Sequence, residues 1–345
     1  TLVPEHGIRI ATGYDDAHNL TPARLLRNAL HLGYRGIINH YVGMSHYYRL
    51  RVYSSGNIFY TSSGGALNTP CERWHLDFAA RARDLGYELI FSISYELLES
   101  ICLPGRKQRA ENGAVALTGG EPPSTLLSPA NEAAVDQIAR SAEAFVAIQQ
   151  VAGLPVKIQI GEPWWWIMQD GSGQICLYDA DAQTAFGENL VSIPTINGPQ
   201  TEAQIAMLDQ AGQMLADSTA TIADRVRALA PDAELLLLVY LPTVLDEAAP
   251  EAKRANVPLG WADPAFDILQ LEDYDWVTAG NPGATARGGI AAWPRLFSGR
   301  CPRSFATALS ISTARRAMCR PLTMCNFRSR SAAKPWRHPV SRRPL

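Results

Sequence analysis

The chain has 345 residues, 47% hydrophobic and 19% charged, with a formal net charge of -2 at pH 7. These proportions exclude a disordered chain, and no run approaches the roughly 18 uninterrupted apolar residues of a membrane-spanning helix. The near-neutral total hides a division: all 33 acidic residues precede Trp276, while 13 of the 31 basic residues follow it.

In chain order, the first unit is a short apolar strand at 8–12, followed by Thr21-Pro22, an amphipathic run to Leu32 and then Gly33. Thr at the N-cap, Pro in the first turn and Gly past the end are helix punctuation. A second strand begins at Ile37 and ends near Asn39-His40-Tyr41, and the Ser/Gly-rich stretch after it reads as a rim insertion near 50–70. A helix at 72–85 stopped by Gly86, a strand at 88–94 leading into Tyr95-Glu96, and an insertion near 100–128 come next. Ser128-Pro129 opens a long helix to Ala152, and a fourth strand follows at 156–161. Beyond an insertion near 168–198, a helix at 201–229, an apolar strand at 235–240, a helical piece at 246–255 and a sixth strand at 267–271 complete the pattern.

Strict strand and helix alternation predicts a parallel sheet, because parallel neighbours need crossover connections. The expected fold is an α/β TIM barrel of glycoside-hydrolase type occupying residues 1–294, with its last units truncated or degenerate. An open doubly wound sheet is the second choice, but Thr12-Gly13-Tyr14-Asp15-Asp16 stands where a Gly-rich phosphate loop would be needed. Residues 295–345, rich in Arg, Ser and Pro and without periodicity, read as a disordered or frame-shifted tail. A DNA-binding role is the lesser reading of that basic stretch, and no DNA partner is expected. The six cysteines form no CxxC pair, so neither a zinc site nor a disulfide framework is indicated, and no metal or cofactor is expected. Thr1 follows no initiator Met and opens no signal peptide, so the chain reads as a piece of a longer polypeptide made in the cytoplasm.

Barrel sites gather at the C-terminal strand ends. That rule selects Asp15, Asp16 and His18, then Asn39, His40 and His46, then Tyr95, Glu96 and Glu99, then Glu162 with Trp164, Trp165 and Trp166, then Tyr240, and last Glu272 to Asp275. Two carboxylates across a barrel mouth suit glycoside hydrolysis, one protonating the leaving oxygen while the other attacks or activates water. Glu162 and Glu272 are the candidate catalytic pair. Asp16, His40, Tyr95, Trp164, Trp165, Trp166, Tyr240 and Tyr274 are the candidate substrate-binding residues, the aromatics offering flat faces to sugar rings. Packing of an insertion by the three tryptophans and a solvated acidic rim at 272–275 are the competing readings.

The Gly161-Glu162-Pro163-Trp164 run resembles the Asn-Glu-Pro of many retaining barrel glycosidases, whose Glu is the acid/base, with Gly161 in place of Asn. Four longer stretches, VPEHGIRIATGYDD at 3–16, LGYRGIINHYVGMSHY at 32–47, GEPWWW at 161–166 and residues 257–280, resemble the barrel domain of the non-contractile tail sheath proteins of alphaproteobacterial prophages and gene-transfer-agent-like particles. The resemblance implies a virion or phage-like tail component that contacts other tail subunits, with cell-surface glycan as a further partner. It ends near Gly280.

Overall fold

The computed structural model describes residues 3–52, 59–61, 67–262 and 264–273, together with 275–276, 279–281, 283–284, 287 and 305–307. Seven strands form its main sheet: β1 (Ile10–Gly13), β2 (Ile37–Tyr41), β3 (Glu88–Ser94), β4 (Lys157–Gly161), β5 (Glu234–Tyr240), β6 (Ile268–Glu272) and β7 (Phe305–Thr307). They lie side by side in sequence order, and every pair is parallel. Order without reversal is barrel winding, since a doubly wound sheet reverses direction at a switch point. The second-choice fold is thereby overturned.

Residues 305–307 fall inside the stretch expected to be a structureless basic tail, yet they pair with β6 in the register Leu269 to Phe305 and Leu271 to Thr307. Residues 308–345 lie outside the described residues. Among the described residues no eighth strand joins β7 to β1.

The helices are α1 (Pro22–His31), α2 (Thr69–Asp84), α3 (Glu132–Ala152), α4 (Glu202–Leu229) and α5 (Ala252–Asn256), and the first four begin where side chains satisfy free backbone N–H groups. Thr21, Asn68 and Asn131 cap α1, α2 and α3. Thr201 and Gln204 form a reciprocal capping box on α4. The long helix expected from Ser128 starts at Glu132 because Asn131 supplies that cap.

Strand residues alternate between two faces. Leu89, Phe91 and Ile93 join the apolar layer between sheet and helices, where Phe78 and Phe145 also lie. The opposite parity fills the concave interior. Ile37, Ile90, Leu236 and Ile268 make an apolar layer. In the next, Gln159 on β4 receives a hydrogen bond from Asn39 on β2 at 3.4 Å and donates one to Gln270 on β6 at 2.6 Å. Contact among alternate strands through a shared side-chain layer is how a curled barrel sheet fills its interior.

Candidate functional site at the C-terminal rim

Interior parity carries Ser94, Gly161, Tyr240 and Glu272 to the C-terminal ends of their strands. Glu162, one residue past β4, would by parity face the helices. Its backbone is instead left-handed, with φ 55°, the only non-glycine positive φ among the described residues. That conformation costs about 1–2 kcal/mol and brings the side chain back to the barrel mouth. The turn is closed by the Trp164 N–H donating to the Glu162 carbonyl at 3.0 Å. The strand end is tight at Gly161: a Cβ there would lie 3.0 Å from Ser92 Oγ and 3.1 Å from the Ile93 carbonyl. An Asn, as in the glycosidase motif, would need its neighbours to shift by a few tenths of an ångström.

The three tryptophans are held through their backbones by two buried amides. Gln108 accepts from the Trp166 N–H at 2.8 Å and donates to the Trp164 carbonyl at 2.9 Å. Asn256, at the end of α5, accepts from the Trp165 N–H at 2.7 Å and donates to the Trp165 carbonyl at 3.1 Å. Trp165 is 1% exposed, and its indole N–H donates to the Ala211 carbonyl of α4 at 2.9 Å. Trp164 and Trp166 stay partly exposed, the Trp164 ring centroid 6.2 Å from that of Tyr240.

These residues enclose a cavity of about 430 Å³ lined by Glu96, Glu162, Glu272, Trp164, Trp165, Trp166, Tyr240 and Asn256, among others. The Ser94 hydroxyl donates to the Glu162 carboxylate and accepts from the Glu96 N–H at 2.7 Å. Burial first, then the charges of Glu96 and Glu272, push the Glu162 carboxyl well above the usual carboxylate range. A hydrogen bond between the Glu162 and Glu96 side chains favours the proton on Glu162. Burial also raises Glu96, against hydrogen bonds with Ser124 and Thr118. Glu272 is raised to about 7 by burial, then by Asp275, Glu96 and Asp273. The rim therefore brings together three carboxyl groups, each with its pKa raised. Among the described residues no group of three or more His, Cys, Asp and Glu side chains is arranged to hold a metal ion.

Seven of the residues singled out from sequence thus share one cavity: Glu96, Glu162, Glu272, Trp164, Trp165, Trp166 and Tyr240. His40 and Tyr95 face the other way. The His40 ring is fully buried between β2 and α2, hydrogen-bonded to Thr12 Oγ1 at 2.7 Å and His75 Nε2 at 3.2 Å, and burial holds its pKa well below the usual imidazole value. The Tyr95 hydroxyl pairs with Ser218 Oγ of α4 at 2.8 Å. Asp16 is exposed in the one-turn helix Tyr14–Ala17 after β1 and is not among the cavity residues, and Tyr274 lies outside the described residues. The strand-end rule selects Glu96 without joining it to Glu162, and period-two alternation from Ser92 through Ser94 is the signal that favours it over Tyr95. No local signal marks Gln108 or Asn256.

The sequence matches the family model described as "Non-contractile tail sheath protein TIM barrel" over residues 4–301, beyond Gly280 where the resemblance read from sequence stops. Among solved structures, the chain is similar to the PgaB (BpsB) glycoside hydrolase domain from Bordetella bronchiseptica, with 14% identity and a TM-score of 0.50, covering 84% of this chain and 81% of that one. It is also similar to the β-galactosidase of the psychrophilic Marinomonas ef1, with 10% identity, a TM-score of 0.45 and coverage of 77% and 41%. Against the polyextremophilic β-galactosidase of the Antarctic haloarchaeon Halorubrum lacusprofundi the identity is 12% and the TM-score 0.42, with coverage of 77% and 40%. At these identities the first likeness is one of fold, and the other two carry no argument. From the match over residues 4–301, this chain belongs to the non-contractile tail sheath protein TIM-barrel family.

Proposed function

We propose that this barrel is a module of a phage-like particle tail, packed among other tail subunits, and that its rim cavity binds a saccharide unit of a host-surface glycan. The observation that carries the reading is the enclosure of Glu162 by Trp164, Trp166 and Tyr240 in one cavity of about 430 Å³. Aromatic faces supply apolar area to a sugar ring, while carboxylates accept hydrogen bonds from its hydroxyls. A cavity of a few hundred cubic ångströms with convergent polar groups suits a ligand of this size. Binding of host-surface saccharides to the wild type and to Trp164→Ala, followed by calorimetry, tests it. The variant is expected to bind about tenfold more weakly. Failure of the wild type to bind any host saccharide overturns the reading.

A second reading is retaining glycoside hydrolysis with Glu162 as acid/base, favoured by the upward shift of its carboxyl pKa. Glu162 would give its proton to the glycosidic oxygen as Glu272 attacks the anomeric carbon, and would then take a proton from the water that cleaves the glycosyl ester. β4 and β6 are two strand spacings apart, about 9.6 Å between backbones, with both side chains directed into the cavity. Release of reducing ends by the wild type and its loss in Glu162→Gln is the expected result. Absence of cleavage by the wild type leaves binding alone.

A further inference from the structure

We propose that the saccharide taken by this cavity bears a free primary ammonium group, an amino sugar lacking its N-acyl substituent. The inference rests on the glycan-binding reading and names the ligand class of that same site. Glu96, Glu162 and Glu272 reach the cavity from the ends of β3, β4 and β6, and among the described lining residues there is no Lys, Arg or His. The basic side chains of the surrounding segments are engaged elsewhere: Lys107 with Glu99, and Arg254 with Asp209 and Glu251. Among the described residues the cavity thus offers carboxyl acceptors, and no basic side chain to counter the negative charge they carry when ionised.

A neutral sugar meets only the acceptors. An ammonium group meets both, with three N–H donors and a compact positive charge. The faces of Trp164, Trp166 and Tyr240 favour the same choice, because an aromatic quadrupole attracts a cation. An N-acetyl group replaces the cation with a neutral amide that keeps one N–H donor and carries no charge. An acidic sugar is repelled outright. The raised protonation of Glu162 and Glu272 agrees: crowded, buried carboxyl groups keep protons that an arriving cation would displace.

The test is calorimetric titration of the whole chain at neutral pH with three probes: a chitosan oligosaccharide, the fully N-acetylated chitin oligosaccharide of the same length, and a lysine oligomer of equal charge. The free-amine sugar is expected to bind roughly tenfold or more tightly than the acetylated one. That preference should shrink in Glu272→Gln and Glu96→Gln, with near-ultraviolet circular dichroism reporting that each variant is folded. Equal binding of the two sugars, or preference for the acetylated one, overturns the inference and leaves the glycan reading standing. Binding of the lysine oligomer as tightly as the chitosan oligomer also overturns it, since charge alone would then suffice. Failure of every saccharide, neutral or cationic, overturns the glycan reading and this inference together.

Discussion

The Asn256 side-chain amide closes two hydrogen bonds on the backbone of Trp165, accepting from its N–H at 2.7 Å and donating to its carbonyl at 3.1 Å. Asn256 is 3% exposed and Trp165 1%, so the pairing is a buried one. Asn256→Ala leaves both buried groups unpaired, a loss of about 1–3 kcal/mol. Urea unfolding reads that loss, and a change in tryptophan emission of the folded variant reports the loosened rim. A variant as stable as the wild type with unchanged emission would show that the clamp is dispensable.

Gly161 sits where glycosidases of similar motif carry Asn. Because a Cβ there would come within 3.0 Å of Ser92 Oγ, Gly161→Asn is expected to destabilise by about 1–3 kcal/mol through overpacking. Chemical denaturation measures it. An Asn variant that is fully stable and binds sugar more tightly would mean the strand end is roomier than its packing implies.

Glu272 holds its proton up to about pH 7, against an ordinary value of 4.5. The native state then binds more protons than the unfolded chain between those values. The associated stability is complete below about pH 4.5 and is lost as pH rises through about 7. Burial acts in the opposite sense on His75, held down to about 3, and on His40: their share is present above about 6.5 and is lost as pH falls. Subtracting the stability profile of Glu272→Gln from that of the wild type isolates the carboxyl. The difference should decline across pH 4.5 to 7, and a flat difference would refute the assignment.

His40 belongs to the packing beneath the barrel wall, so His40→Ala is expected to lose about 2–4 kcal/mol through the space left between β2 and α2. Saccharide affinity should not change. Weakened binding by a variant that remains folded at the assay temperature would return His40 to the site.

The sequence by itself determined the order of strands and helices, since that depends on local periodicity and on caps such as Thr21 and Thr201, which act within a few residues of themselves. It also located Glu162 and the tryptophans, because a strand end is a local event. Tertiary structure alone decided which way those strand ends face. The turn of Glu162 into the cavity is a left-handed backbone that no periodicity announces, and the Tyr95 hydroxyl finds its partner in Ser218, 123 residues away. The tryptophan rim is fixed by Gln108 and Asn256, 56 and 91 residues from the backbone groups they hold, and no periodicity encodes partners at that distance. The raised pKa of Glu162 is likewise a property of the assembled rim, since desolvation and the charges of Glu96 and Glu272 arise only when three strands converge.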